Sequence, residues 1–172
     1  GMIFMGVLIA LLPVPQAMVL HGVTQLASNG WRSVLWRESI DWRVFRGCAY
    51  GAFVALAFFA MVQLVVPKAI ALIVLGLTPF VALALPQDLA LDVKKRGHPF
   101  LCGLVCNSLQ LVGGVAGPIL DVFFVRSAMD RRAVVATKAS TQTLSHLVKI
   151  GYFGALVSGA NRGTIDPMLA AL

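Results

Sequence analysis

Apolar runs broken by short polar or Pro/Gly stretches make up most of this chain. Residues 2–12, MIFMGVLIALL, form a short run closed by PVP, and residues 16–31 form a segment with polar positions inside it. Residues 44–66 and 68–85 are full-length apolar segments parted at Pro67-Lys68. Residues 99–116 are rich in Gly and carry Asn107, Ser108 and Gln110, residues 118–125 are a second short run, and residues 133–157 form a long segment. A further segment is expected near Pro167. A helix needs about 20 residues to cross a bilayer, and each short run supplies roughly half of that. Each is followed directly by a polar-striped segment. Short or Gly/Pro-interrupted segments at matching places in two halves are the mark of inverted repeats built on broken helices. The fold class expected is an all-α polytopic membrane protein with inverted-topology repeats and short or broken helices.

The stripes themselves repeat. HGVTQLASNGWR at 21–32 lines up with KASTQTLSHLVK at 138–149, 117 residues on. His21, Thr24, Gln25, Ser28, Asn29 and Arg32 match Lys138, Thr141, Gln142, Ser145, His146 and Lys149. Side chains three and four apart share a helix face, so each set is one continuous stripe. Unsatisfied polar groups are costly in hydrocarbon, so the stripes are expected to face protein or a water-filled path.

Composition sharpens the membrane reading. The chain is 59% hydrophobic and 12% charged, where a soluble domain has about 25% charged residues; the mean hydropathy is +0.87. A net charge of +7 would suit nucleic acid only as a basic face on a soluble fold. Here the cations sit in short runs between apolar segments. With the 32–46 loop in the cytoplasm, Arg32, Arg37, Arg43, Arg46, Lys94, Lys95, Arg96, Arg126, Arg131 and Arg132 all fall inside, and Lys68 and Arg162 outside. That is the positive-inside pattern, and it gives the two striped segments opposite directions. Cys48, Cys102 and Cys106 are too few for a disulfide framework and lack a His or carboxylate to complete a zinc site, so they read as buried, inert thiols. No metal or cofactor is expected. The N-terminus has no basic region or small-residue cleavage site of a signal peptide. The abrupt apolar start and the DPMLAAL end suggest part of a longer protein.

The stripes offer Lys, His, Thr, Ser and Gln without a carboxylate, which suits an anion. Gly113, Gly114 and Gly117 of GGVAGP would let backbone approach a ligand, and the run after them would begin with a helix N-terminus that favours negative charge. The expected substrate contacts are therefore His21, Thr24, Gln25, Ser28, Asn29, Gly113, Gly114, Gly117, Lys138, Thr141, Gln142, Ser145 and His146. His21 is expected toward the outer mouth of the path and Lys138 toward the inner one. Lys149 has the reach to snorkel to the outer surface and carries less weight. Asp121, the one acid inside an apolar run, either pairs with Lys138 or titrates and couples transport to protons. For each single Ser or Thr, interhelical hydrogen bonding is the competing role.

LHGVTQLASNGWR, after a Pro-bounded short run, and GGVAGPILDVFFV with MDRRAVVATKASTQTLSH resemble the two repeats of the sulfite exporter TauE/SafE family. The resemblance spans most of the chain and is strongest over 16–46 and 110–157. It implies a multi-pass protein of the bacterial inner membrane that moves sulfite, sulfonates or other small sulfur-containing anions. Against that family, residues 1–98 correspond to a first repeat lacking its first helix, plus a cytoplasmic loop, and 99–172 to a second repeat truncated at its end. The function expected is a secondary transporter, an exporter working by alternating access with proton coupling. The alternative is a non-transporting assembly or accessory protein whose stripes only pack helices. An enzyme is disfavoured, because the stripes hold no carboxylate or Cys to complete a nucleophile–base pair. The partners implied are a small anionic substrate and the lipid bilayer, with a homo-oligomer compatible and nucleic acid excluded.

Overall fold

A computed structural model describes residues 1–85, 91–125 and 127–160. The expected segment near Pro167, Arg126 and Arg162 lie outside these. The described chain is all-α, with seven helices: α1 (Met2–Leu11), α2 (Val14–Leu35), α3 (Trp42–Val62), α4 (Lys68–Ala84), α5 (His98–Val112), α6 (Gly117–Val125) and α7 (Arg131–Ala160). A single 3-10 turn, Arg37–Ser39, joins α2 to α3.

Proline and glycine set the boundaries. Pro13 caps α2 and Pro15 lies in its first turn, where a missing N–H costs nothing. Pro67 caps α4, and Gly97, at φ 84°, precedes α5. At Gly114 the chain takes φ 76° between α5 and α6, and a Cβ there would come 2.5 Å from Met5 Cε, so only glycine fits. Asp41 caps α3, its Oδ1 accepting from the N–H groups of Arg43 and Val44 at 3.1 Å each. The Asp41 N–H in turn donates to Thr137 Oγ1 at 2.9 Å, which ties this corner to α7.

Burial opposes ionisation of Asp41, but the hydrogen bond from Lys94 at 2.6 Å and the N–H groups of Val44 and Arg43 outweigh it. They hold the carboxyl below its ordinary value of 3.8. Such a group stabilises the fold above the unfolded-state value, and that contribution fades as pH falls through the folded one. Asp41→Ala is expected to cost about 1 kcal/mol at neutral pH, chiefly through the lost cap. The gap to wild type should narrow as pH falls below the ordinary carboxyl value and through the depressed folded one, read by thermal unfolding at neutral and acid pH.

Two helix pairs organise the rest. Gly22 of α2 lies against Ile150 of α7, while Ser33 bonds Ser140 at 2.6 Å, so α2 and α7 run antiparallel. Gly47 of α3 meets Pro99 of α5, and Asn107 donates to the Ala52 carbonyl at 3.1 Å, so α3 and α5 run parallel. Gly51 and Gly103 bring the α3 and α5 backbones into direct contact, with the Gly103 Cα against the Cys48 peptide. The antiparallel α1 and α4 are joined where Lys68 Nζ donates to the Ala10 carbonyl at 2.7 Å.

The 117-residue shift that aligns the stripes also aligns structure. It carries Val14, the start of α2, onto Arg131, the start of α7. It also carries the stacked pair Phe4–His21 onto the ion pair Asp121–Lys138. One apolar cluster gathers Met5, Ile9, Met18, Leu75, Leu111 and Phe153. A second gathers Val44, Cys48, Cys102, Ile119, Phe123 and Phe124. Among the described residues one helix, Trp42–Val62, is long and apolar enough to cross a membrane, with a mean hydropathy of 1.7. Helices α2 and α7 have the length, at 22 and 30 residues, but their polar stripes lower their hydropathy.

Candidate functional site

Where α2, α5, α6 and α7 meet, a cavity of about 280 Å³ opens. The antiparallel α2–α7 contact supplies most of its polar wall: His21 and Gln25 from α2, and Thr141, Gln142, Ser145 and His146 from α7. From α5 come Cys106 and Gln110, and from α6 its first residues, Gly117 and Pro118, with Asp121 one turn on. Gln25 and Gln142 are matching positions of the two stripes. Among the described residues neither side-chain amide has a hydrogen-bond partner, so both keep donors and acceptors for a ligand in the cavity.

Behind this wall lies a buried chain of polar groups. Lys149 Nζ donates to His21 Nδ1 at 2.9 Å and to the Gly114 carbonyl at 3.0 Å. His21 Nε2 donates to the Gly1 carbonyl at 3.3 Å. The His21 and His146 rings meet edge to face, 5.8 Å between centroids. Gln110 Nε2 donates to His146 Nδ1 at 2.8 Å. Lys149 is 0% exposed, His21 2% and His146 5%. The expected snorkel of Lys149 is thus corrected: α7 continues to Ala160, so residue 149 lies within the helix rather than at its end, and its amine turns inward.

Of the thirteen expected contacts, His21, Gln25, Gly117, Thr141, Gln142, Ser145 and His146 line the cavity. Thr24 and Ser28 are exposed away from it, and Thr24 Oγ1 turns back to the His21 carbonyl at 2.9 Å. Asn29 is buried but donates to the Gln25 carbonyl at 3.1 Å within its own helix. Gly113 and Gly114 make a close backbone approach, yet to protein: Gly113 packs on Val74, and Gly114 on Met5 and Met18. Lys138 stands beside the cavity, its amine on Asp121, so of the two roles open to that acid the ion pair is the one formed. Of the two residues expected at the mouths, His21 is enclosed at the core of the site, while Lys138 is partly exposed.

Two wall residues with polar side chains, Gln110 and Cys106, were not among the expected contacts. Gln110 and Cys106 belong to a helix outside the duplicated stripes, and the only signal for Gln110 is its i, i+3 spacing from Asn107 on one helix face. Cys48 of α3 joins Cys102 and Cys106 of α5, one turn apart, in a single buried apolar cluster. Among the described residues no group of three or more His, Cys, Asp or Glu is placed to hold a metal ion. Compared with protein-family models, curated proteins and solved structures, the chain matches none of them.

Proposed function

We propose that this protein is a polytopic membrane carrier for a small anion. Its two inverted repeats, each a short helix followed by a striped one, line a single path. The observation that carries the reading is the cavity wall. Two matched glutamines without protein partners and two histidines converge on the start of α6, and the single acid there is already paired with Lys138. Donors and a helix N-terminus favour a negative ligand. The antiparallel course of α2 and α7 and their 117-residue correspondence support the inverted repeat. Helices of 10 and 9 residues reach about half-way across a bilayer, which suits α1 and α6 as half-helices ending at a mid-membrane site.

The outer surface supports the bilayer setting. Ile3, Leu11, Met61, Leu83 and Val125 are each more than 75% exposed, and many other large apolar side chains join them. Surface of that kind is stable against lipid and a liability in water. From the resemblance, the ligand is sulfite, a sulfonate or a similar sulfur-containing anion, the membrane is the bacterial inner membrane, and the carrier is an exporter working by alternating access with proton coupling. It is not an enzyme in this reading.

Reconstituted in proteoliposomes, the protein is expected to carry radiolabelled sulfite well above protein-free vesicles, with unlabelled sulfonate competing. Correctly inserted protein that moves no anion would overturn the carrier reading. It would leave the polar residues a packing role of the kind Ser33 and Ser140 already serve.

A further inference from the structure

The chain Lys149–His21–His146 contains three titratable groups enclosed by protein; the two histidines also line the cavity, whereas Lys149 lies behind them and does not. Its geometry sets an electrostatic problem. The two acceptors of the Lys149 amine are an imidazole nitrogen and a peptide carbonyl, and neither carries a negative charge. Next to it, α2 supplies His21 and the loop before α6 supplies the Gly114 carbonyl; one step further, Gln110 of α5 bonds His146, and the Cys106 thiol lines the adjoining cavity. Asp121 of α6 is held by Lys138. An enclosed ammonium in such a setting lacks a counter-charge, and a buried charge without one is strongly disfavoured.

The hydrogen bonds sharpen this. His21 Nδ1 accepts from Lys149, and His146 Nδ1 accepts from the Gln110 amide. An imidazolium has donors on both nitrogens, so both rings are neutral in this arrangement and a proton on either Nδ1 would break the bond it makes. The amine nitrogen of Lys149 is the one place where an added proton disrupts no existing bond. A negative ligand in the adjoining cavity, against His21 and His146, would supply the missing counter-charge.

We infer that Lys149, with His21 and His146 between it and the cavity, is the proton-binding site coupled to the anion. The amine takes a proton from water as the anion enters and returns it as the anion leaves. This inference rests on the carrier reading and assigns the coupling to Lys149 in place of Asp121. Binding linkage makes the effect mutual: the anion favours the proton, and the proton favours the anion to the same extent.

Methanesulfonate is a suitable probe, because its charge is fixed over the neutral range and any proton counted belongs to the protein. Calorimetric titration of the purified protein in buffers of different ionisation enthalpy counts the protons taken up on binding. Wild type is expected to take up about one proton per anion, with affinity rising about tenfold per unit fall in pH where the site titrates. Lys149→Arg, whose charge does not titrate, is expected to bind with the proton count near zero, and Lys149→Met to bind weakly without pH dependence. Asp121→Asn is expected to keep the wild-type proton count whatever its affinity. Binding by wild type with no proton uptake at any pH would overturn the inference and leave the carrier reading intact; this arm needs no variant to fold. Uptake that persists in folded Lys149→Met, or vanishes in Asp121→Asn, would also overturn it. A folded wild-type protein that binds neither methanesulfonate nor sulfite would overturn both readings.

Discussion

Gln142→Ala is expected to reduce anion flux by about ten- to a hundredfold while the protein still inserts and folds. The size follows from losing one hydrogen bond to a charged ligand. Gln142 is half-buried on α7 and faces the cavity opposite the start of α6, where a Cβ on Gly117 would lie 4.0 Å from its amide nitrogen. It makes no side-chain hydrogen bond among the described residues, so truncation leaves no protein group unsatisfied. Gln25→Ala, its counterpart on α2, should lower flux in the same sense. Lys138→Ala should also abolish flux, by a different route: it frees the Asp121 carboxylate to repel the ligand at the cavity's edge. Flux assays in proteoliposomes, with insertion checked by protease protection, decide the matter. Wild-type rates in both Gln142→Ala and Lys138→Ala would sink the site assignment.

Gly103→Ala is expected to produce the largest loss of stability, about 3 kcal/mol or more. A methyl group at Gly103 would overlap the carbonyl of Cys48, and one at Gly51 would overlap the backbone of Phe100 and Leu104. These obstacles are main chain, so no rotamer change relieves them and the helices must part. Their separation would also strain the bond from Asn107 to the Ala52 carbonyl and the packing of Cys48 on Cys102. Gly30→Ala is the matched control: nothing lies within 4 Å of its Cβ, and helix propensity favours alanine there by up to about 1 kcal/mol. Thermal unfolding and the yield of monodisperse protein separate the two. Equal unfolding midpoints for the two variants would contradict the backbone contact.

The helices are legible in the sequence because proline and glycine punctuate them. The run 2–12 became Met2–Leu11, and the run 118–125 became Gly117–Val125. The contact between α3 and α5 was hidden because Gly51, Gly103 and Cys48 read as ordinary filling in apolar segments. Only a partner backbone gives those glycines a reason. For the site, period and duplication identified which residues share a face, but not which part of the face is covered. Thr141 and Ser145 meet α5 at the cavity, while their counterparts Thr24 and Ser28 have no described helix over them and stay exposed. The inward turn of Lys149 is hidden from the sequence for a related reason. Its fate depends on how far α7 runs beyond it and on the His21 ring 128 residues away.

The close seam between α3 and α5 also limits how the molecule can move. Helices separated by side chains slide by changing rotamers, whereas helices touching through main chain cannot roll or translate without collision. Any change of shape that opens the cavity must therefore carry α3 and α5 as a single stiff plank. The give has to come from the α2–α7 pair, whose contacts run through flexible groups: Ile150 on Gly22, the Lys149 amine on His21, and the Ser33 and Ser140 hydroxyls.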